Sequence, residues 1–132
     1  MSNKFQISVT TPDELIYSKE VVMAIIPGSE GEMGILADHA PVITTLKRGI
    51  LKTDSANHER NEIYISTGFA EVKNNECSIL ASTAYDLSKI SAEEINSKIS
   101  FAKARLNTSD NEFDKNLAKE EIELNQDILT YL

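Results

Sequence analysis

The sequence has a single cysteine, Cys77, and only two histidines among its 132 residues. One cysteine excludes an internal disulfide, and so few soft ligands disfavour a structural zinc site. Cys77 alternates with Ile79 and Ala81 in a strand-like pattern, which predicts a buried structural thiol. The sequence therefore predicts neither a disulfide scaffold nor a metal centre.

Positive charge and long apolar runs are also scarce. Lys and Arg number 13 against 21 Asp and Glu, so the net charge is -8 and the pI is near 4.7. Such a field repels phosphate backbones and anionic lipids, which disfavours nucleic acid as a partner. No run approaches the roughly 20 apolar residues that span a bilayer, and patterned sequence begins directly after Met1 without a signal segment. We expect a cytoplasmic protein whose mature form starts at Met1.

Glycine and proline punctuate the first two thirds of the chain. Apolar or alternating runs between them predict about eight to ten short strands up to residue ~85, in a mainly β sandwich or barrel. The polar segment 54–61 is typical of an exposed hairpin tip. Asn74 and Asn75 suit a turn with positive φ. The sequence thus predicts an N-terminal β domain over residues 1–86.

After Asp86 glycine and proline are absent, which predicts a C-terminal antiparallel hairpin of two helices over residues 87–132. Ser91 with Glu94 and Ser109 with Glu112 have the spacing of capping boxes. The helices should be roughly 17 and 21 residues long, or about 25 and 30 Å. Each carries an apolar stripe, namely Ile95, Ile99, Ala102 and Leu106, and then Phe113, Leu117, Leu124 and Ile128.

Catalytic patterns are weak. The segment Gly28-Ser-Glu-Gly-Glu-Met-Gly34 lacks the Lys-Ser/Thr ending of a phosphate loop, and Glu30 and Glu32 would repel a phosphate. A Ser29, His39 and Asp38 triad is disfavoured because adjacent residues of an extended chain point in opposite directions. The residues alone therefore predict a non-catalytic interaction module.

A longer signature lies in the same segment. Gly28, Gly31, Gly34-Ile35, His39-Ala40-Pro41, Leu46 and Gly49 follow the order G-x-x-G-x-x-G-I-x-x-x-H-A-P-x-x-x-x-L-x-x-G. This order resembles that of the epsilon subunits of bacterial F-type ATP synthases. Residues 9–12, Ser18 and residues 67–72 extend the resemblance over essentially the whole chain.

The resemblance implies a rotor subunit of the central stalk, peripheral on the cytoplasmic face of the bacterial inner membrane. Its sandwich would lie between the gamma subunit and the c ring and would catalyse nothing. Two sets of contacts are implied, with the c ring through Gly31, Glu32 and Met33, and with gamma through Thr11, His39 and Thr44. For His39 this interface role is favoured over catalysis or simple exposure.

The resemblance further implies that the hairpin folds beside the sandwich or extends among the alpha and beta subunits, where it inhibits ATP hydrolysis. The family's ATP motif, I/L-D-x-x-R-A, aligns with residues 95–100 and begins at Ile95. Asn96, Ile99 and Ser100 stand in place of its acid, arginine and alanine. Losing both charged groups removes charge-assisted hydrogen bonds, so we expect no ATP binding and no cofactor.

The last helix is also unlike an inhibitory arm that docks through basic residues. From Asp110 onward two lysines stand against seven carboxylates, so an acidic target would repel it. We expect weak inhibition, or contacts through the apolar stripe and the first helix, with Lys98, Lys103 and Arg105. The alternatives are an ATP-sensing module and an unrelated β-sandwich adaptor.

Overall fold

The computed structural model describes residues 3–132, and the chain divides into two compact units, residues 1–88 and 89–132. The first unit holds ten strands. They are β1 (Phe5–Thr10), β2 (Leu15–Val21), β3 (Met23–Gly28), β4 (Gly31–Leu36), β5 (Val42–Leu46), β6 (Gly49–Asp54), β7 (Arg60–Ile65), β8 (Gly68–Lys73), β9 (Glu76–Ala81) and β10 (Ala84–Asp86). A single 3-10 turn, Leu87–Lys89, precedes α1 (Ala92–Thr108) and α2 (Glu112–Leu129).

The strands form a nearly closed sandwich. Their order is β10-β7-β6-β3-β5-β8-β9-β1-β2, and β4 pairs with β3 beside this path. All pairings are antiparallel except that of β1 with β9. The predicted fold class, a β sandwich followed by a two-helix hairpin, is confirmed.

Alternation of apolar and polar residues explains the core. Successive side chains of a strand point to opposite faces, so every second residue turns inward and escapes water. In β1 and β9 the buried members are Phe5, Ile7, Val9, Cys77, Ile79 and Ala81. The predicted burial of the Cys77 thiol is confirmed, since the residue is 1% exposed.

A side-chain network joins β2, at one end of the strand path, to β6 and β7 near the other end. Tyr17 of β2 donates its hydroxyl to Asn61 Oδ1 at 2.9 Å and lies 2.9 Å from Thr53 Oγ1, and Thr53 is 1% exposed. Lys19 Nζ donates to Glu59 Oε2 at 2.8 Å and to Asn61 Oδ1 at 3.3 Å. Burial raises the pKa of Tyr17, so its phenol stays protonated and able to donate.

Removing the Tyr17 hydroxyl should therefore destabilise the sandwich. We expect Tyr17→Phe to lower the free energy of unfolding by about 1–3 kcal/mol, because the buried Thr53 hydroxyl loses its partner. Urea unfolding measures the change. Thr53→Val in the Tyr17→Phe background should recover part of the loss, and a purely additive loss in the double variant would contradict a direct coupling.

The predicted turns need one correction. Asn74 and Asn75 do adopt positive φ, 51° and 61°, as expected for the turn between β8 and β9. The predicted hairpin tip at 54–61 is too long, because β6 continues to Asp54 and β7 begins at Arg60. The Arg60 guanidinium donates to Asp54 Oδ1 at 2.9 Å and joins the two strands across this tip. The ion pair allows polar residues to continue the ladder where composition suggested a loop.

The hairpin also differs in one detail from the sequence prediction. Ser91 caps α1 as predicted, since its Oγ accepts from Glu94 N at 3.2 Å. The second capping box at Ser109 is wrong, because Ser109 is the C-cap of α1 and Asn111 caps α2, accepting from Phe113 N at 2.8 Å. Starting at Glu112, α2 has 18 residues instead of 21.

The apolar stripes are only partly buried. In α1 the stripe residues Ile95, Ile99 and Ala102 are buried as predicted. In α2 Ile128 is buried, whereas Phe113 is 70% exposed and Leu117 is 38% exposed. Ala118 and Asn125 are buried instead, so the packed face of α2 is rotated away from the predicted stripe.

Candidate functional site

The β3–β4 hairpin has a turn in which two positions require glycine. We call residues 28–31 the glycine turn. A Cβ on Gly28 would lie 2.7 Å from Gly31 O, and Gly31 has φ +131°, which side chains rarely adopt. Only Ser29 and Glu30 separate the strands, which pair up to Gly28 and Gly31. The turn is therefore tight and sterically defined.

Hydrogen bonds fix the glycine turn to β5 and its following loop. Ser29 N donates to Thr45 O at 2.9 Å, and the Ser29 and Thr45 hydroxyls are 2.6 Å apart. Lys47 N donates to Pro27 O at 2.9 Å, and a Cβ on Gly49 would come within 2.9 Å of Pro27 Cβ. Three signature glycines thus have a steric role in holding this turn.

The residues after the turn point alternately outward and inward. Glu32 is exposed, whereas Met33 is partly buried and packs against the sandwich core. Gly31 precedes both residues and, with φ +131°, ends the turn from which they extend. Of the three residues implied to contact a c ring, Glu32 is the one whose charged side chain is presented to solvent.

Gly34 has no steric reason to be glycine. It lies in the middle of β4, its φ is not positive, and nothing lies within 4 Å of an added Cβ. Glycine in a strand interior costs roughly 0.5–1 kcal/mol relative to alanine. This signature glycine is therefore a position that the isolated fold does not explain.

The residues implied to contact gamma lie at two ends of the sandwich. Thr11 follows β1, and Thr44 lies in β5. Strand register puts both residues near the end of the sandwich that carries the glycine turn. Thr11 is 8% exposed, and its backbone N donates to Glu14 O at 2.9 Å. Thr44 is half-buried, and a Cβ on Gly28 would lie 3.9 Å from its Oγ1.

His39 lies at the opposite end. Its Nδ1 is 2.7 Å from Ala40 O, and the preceding Asp38 has φ 62° and donates its backbone N to Asn75 Oδ1 at 2.9 Å. Ser29 is separated from this loop by the length of β4, on the order of 17 Å for five residue steps. A Ser29–His39 catalytic pair is therefore geometrically excluded in this fold.

An exposed apolar row on five neighbouring strands was missed from the sequence. We define the apolar row as Thr45, Phe69, Leu80, Thr10 and Leu15, which follow one another in register across β5, β8, β9, β1 and β2. Phe69 is 46% and Leu80 43% exposed. Ile43, 70% exposed, stands two residues before Thr45 on β5. The signal that could have revealed it is the apolar residues at positions where the period-two alternation of each strand predicts an outward side chain.

The hairpin residues implied to contact other subunits or aligned with the ATP motif do not form one site. Lys98 and Lys103 are exposed, but Arg105 Nη1 donates to Glu121 Oε2 at 2.8 Å and so connects α1 with α2. Of the residues aligned with the ATP motif, Ile95 and Ile99 are buried, whereas Asn96 and Ser100 are exposed. Arg105 would have to release Glu121 before it could contact a partner.

A further depression lies at the end of the sandwich remote from the glycine turn. It is an open groove of about 690 Å³, lined in part by Met23, Leu36, His58 and the Asp54–Arg60 ion pair. Among residues 3–132, no three His, Cys, Asp or Glu side chains form a group that could hold a metal ion. Within the same described range, no helix has the length and apolar character required to cross a membrane.

A sandwich with a rigid turn, an exposed apolar row and an appended hairpin belongs to the class of protein-docking β-sandwich subunits. Residues 4–86 match the family model of the ATP synthase delta/epsilon chain β-sandwich domain. This chain belongs to the ATP synthase epsilon chain family. The predicted resemblance is thereby confirmed.

Similar proteins cover both units of the chain. The ATP synthase epsilon chain of Dichelobacter nodosus is 35% identical over 130 residues, covering 96% of this chain and 91% of the relative. That of Rhodospirillum rubrum is 30% identical, covering 87% and 86%. A chain of the Euglena gracilis mitochondrial ATP synthase structure, described as OSCP/F1/c-ring, matches with TM-score 0.69 and 26% identity over 99% of this chain and 82% of its own. The family likeness therefore extends through the hairpin.

Proposed function

We propose that this chain is a non-catalytic rotor subunit in the central stalk of a proton-translocating F-type ATP synthase, where it links the gamma subunit to the c ring. Membership of the epsilon chain family and the likeness to a chain of an F1/c-ring assembly support this role. The observation that carries it is the rigid glycine turn, which holds Glu32 outward. The subunit would be peripheral to the membrane, on the cytoplasmic face of a bacterial inner membrane.

Transmission of torque requires a contact that does not yield under load. The glycine turn suits this task, because the bond of Ser29 to Thr45 and that of the adjacent Pro27 to Lys47 tie it to a sandwich with a close-packed core. Glu32 would meet the polar loops of the c ring, with Gly31 shaping the turn and Met33 anchoring β4 in the core. A side chain on a flexible loop would move under load, and less of the torque would be transmitted.

The gamma subunit would dock along β5 and the apolar row. Ile43 and Thr45 turn to the same outer face of β5, and Ile43 lies between Thr45 and the loop of His39. Thr44 points to the opposite face and Thr11 is 8% exposed, so these two would border the footprint instead of lying in its exposed row. An exposed apolar strip with hydroxyls beside it has the composition of a stable protein interface. The proposed footprint therefore covers the length of β5, from His39 to the end that carries the glycine turn.

Reversing the charge of Glu32 should uncouple the rotor. A surface ion contact is worth at most about 1 kcal/mol, so Glu32→Lys, which adds repulsion, tests the contact better than neutralisation. We expect less proton pumping per ATP hydrolysed in reconstituted enzyme. Glu62→Lys, an equal charge change at an exposed position of β7, is the matched control and should retain coupling. Undiminished coupling with Glu32→Lys would refute the c-ring contact.

We further propose that the hairpin inhibits ATP hydrolysis only weakly and binds no ATP. Its last helix is strongly acidic, and Arg105 is already engaged with Glu121. Ile99, 7% exposed, stands where the family motif has arginine. Contact with alpha and beta subunits would rest on Lys98, Lys103 and the exposed apolar residues of α2.

Deleting residues 88–132 tests the strength of this inhibition. We expect ATP hydrolysis by the reconstituted catalytic head to rise by less than about fivefold, the lower bound of typical allosteric couplings. The control is retention of the truncated chain on gamma, which shows that the sandwich still docks. A large activation on deletion would contradict weak inhibition.

A further inference from the structure

One buried polar atom in α2 has no hydrogen-bond partner. Asn125 is 6% exposed, and its Nδ2 donates to Glu121 O at 2.8 Å within the helix. Its Oδ1 is inaccessible to solvent and accepts no hydrogen bond. Among the buried side-chain nitrogens and oxygens of residues 3–132, this atom is the one without a partner. An isolated buried acceptor destabilises the state that buries it, because water would satisfy it.

The position of Asn125 is one where an apolar residue would be expected. Ala118, seven residues earlier, and Ile128, three residues later, are both fully buried on the same helix. An apolar residue at 125 would complete this stripe. A single asparagine in an otherwise apolar helical seam lowers stability in comparable packings.

The end of α2 is weakened by a second, independent feature. The last turn has no basic residue, whereas Asp127 lies within it. A negative charge near a helix C-terminus opposes the helix dipole, which favours cations there. Both features lie beyond Glu121, whose carboxylate pairs with Arg105 of α1.

We propose that Asn125 is a built-in destabilising device that makes the segment of α2 after Glu121 detach more readily than the rest of the hairpin. On detachment Oδ1 gains a hydrogen bond from water, which lowers the free energy of the open state relative to the packed one. The use of such a device depends on the proposed regulatory hairpin, but the device itself is a property of the isolated chain.

Hydrogen exchange of the full-length chain tests whether Asn125 destabilises the packed end of α2. Asn125→Leu keeps the number and branching of the heavy side-chain atoms and removes the orphaned oxygen, so amides 122–129 should become about tenfold more protected. Asn116→Leu makes the same substitution at an exposed position of the same helix and controls for the higher helix propensity of leucine. This control should leave the protection of amides 122–129 unchanged.

A second variant separates relief of the orphaned acceptor from a general packing effect. Asn125→Asp replaces the amide donor by a second acceptor and should reduce protection of the same amides at neutral pH. Unchanged or lower protection in Asn125→Leu would overturn the proposal. Because exchange is measured on the free subunit, its result is independent of the Glu32→Lys coupling assay, and the two proposals can fail separately.

Discussion

Gly68→Ala is expected to lower the free energy of unfolding by about 3 kcal/mol or more, at the upper end of overpacking effects. A Cβ at Gly68 would lie 2.0 Å from Leu80 O and 2.9 Å from Ala81 Cα. Both atoms belong to the backbone of β9, so no side-chain rotation can relieve the clash. Since Gly68 pairs with Ala81 at the start of β8, the strand would have to separate from its neighbour.

Gly34→Ala is the matched control for this prediction. It makes the same substitution in a strand, but in open space and without positive φ, so we expect stability to rise by roughly 0.5–1 kcal/mol. Urea unfolding of both variants gives the comparison. Equal stability of the two variants would show that β8 and β9 can move apart at little cost. If Gly34→Ala is stable but docks poorly, the glycine serves close approach of a partner.

The Cys77 thiol is expected to react with a disulfide reagent at least about 100-fold more slowly in the folded chain than in denaturant at pH 8. Burial raises the pKa of Cys77 from its ordinary value of 9.0 to about 11, and the thiolate is the reacting species. Two pKa units reduce the thiolate population about 100-fold, and the core excludes the reagent as well. Rapid modification of the native chain at this pH would contradict the burial.

The same pKa shift predicts how stability depends on alkaline pH. Between pH 9.0 and about 11 the unfolded thiol loses its proton while the native thiol retains it. The unfolded state therefore binds fewer protons, and stability falls as pH rises through this window. Cys77→Ala should remove this component of the pH dependence, although it leaves a small cavity.

Gly34 also differs from the other glycines of the family signature. Gly28, Gly31 and Gly49 are required by close contacts or by φ within the sandwich itself. Sequence spacing identified these glycines together but could not tell which were structural. The distinction needs the distance from each missing Cβ to atoms of other strands.

Local patterns made most of the fold predictable. Period-two alternation located the strands, and the loss of glycine and proline after Asp86 located the helices, because both signals depend on residues close in sequence. Errors arose where two local signals competed. Ser109 and Asn111 are both good caps, and only the path of the chain between the helices selected Asn111.

The candidate site was less predictable than the fold. Glu32 and the glycine turn followed from the signature, whereas the apolar row did not. Phe69 and Leu80 are separated by 11 positions in the sequence and are brought together by the pairing of β8 with β9. Likewise, the burial of Asn125 depends on the rotation of α2, which a stripe of larger apolar residues predicted wrongly.

The sequence by itself determined the family, the order of strands and helices, and the charge that disfavours nucleic acid as a partner, because composition and short-range periodicity carry this information. The tertiary structure alone decided that Glu32 is presented by a turn tied to β5, that residues of five strands form the apolar row, and that Asn125 is buried without a partner for its oxygen. These features arise from strand register and helix rotation, which are set by contacts between residues distant along the chain.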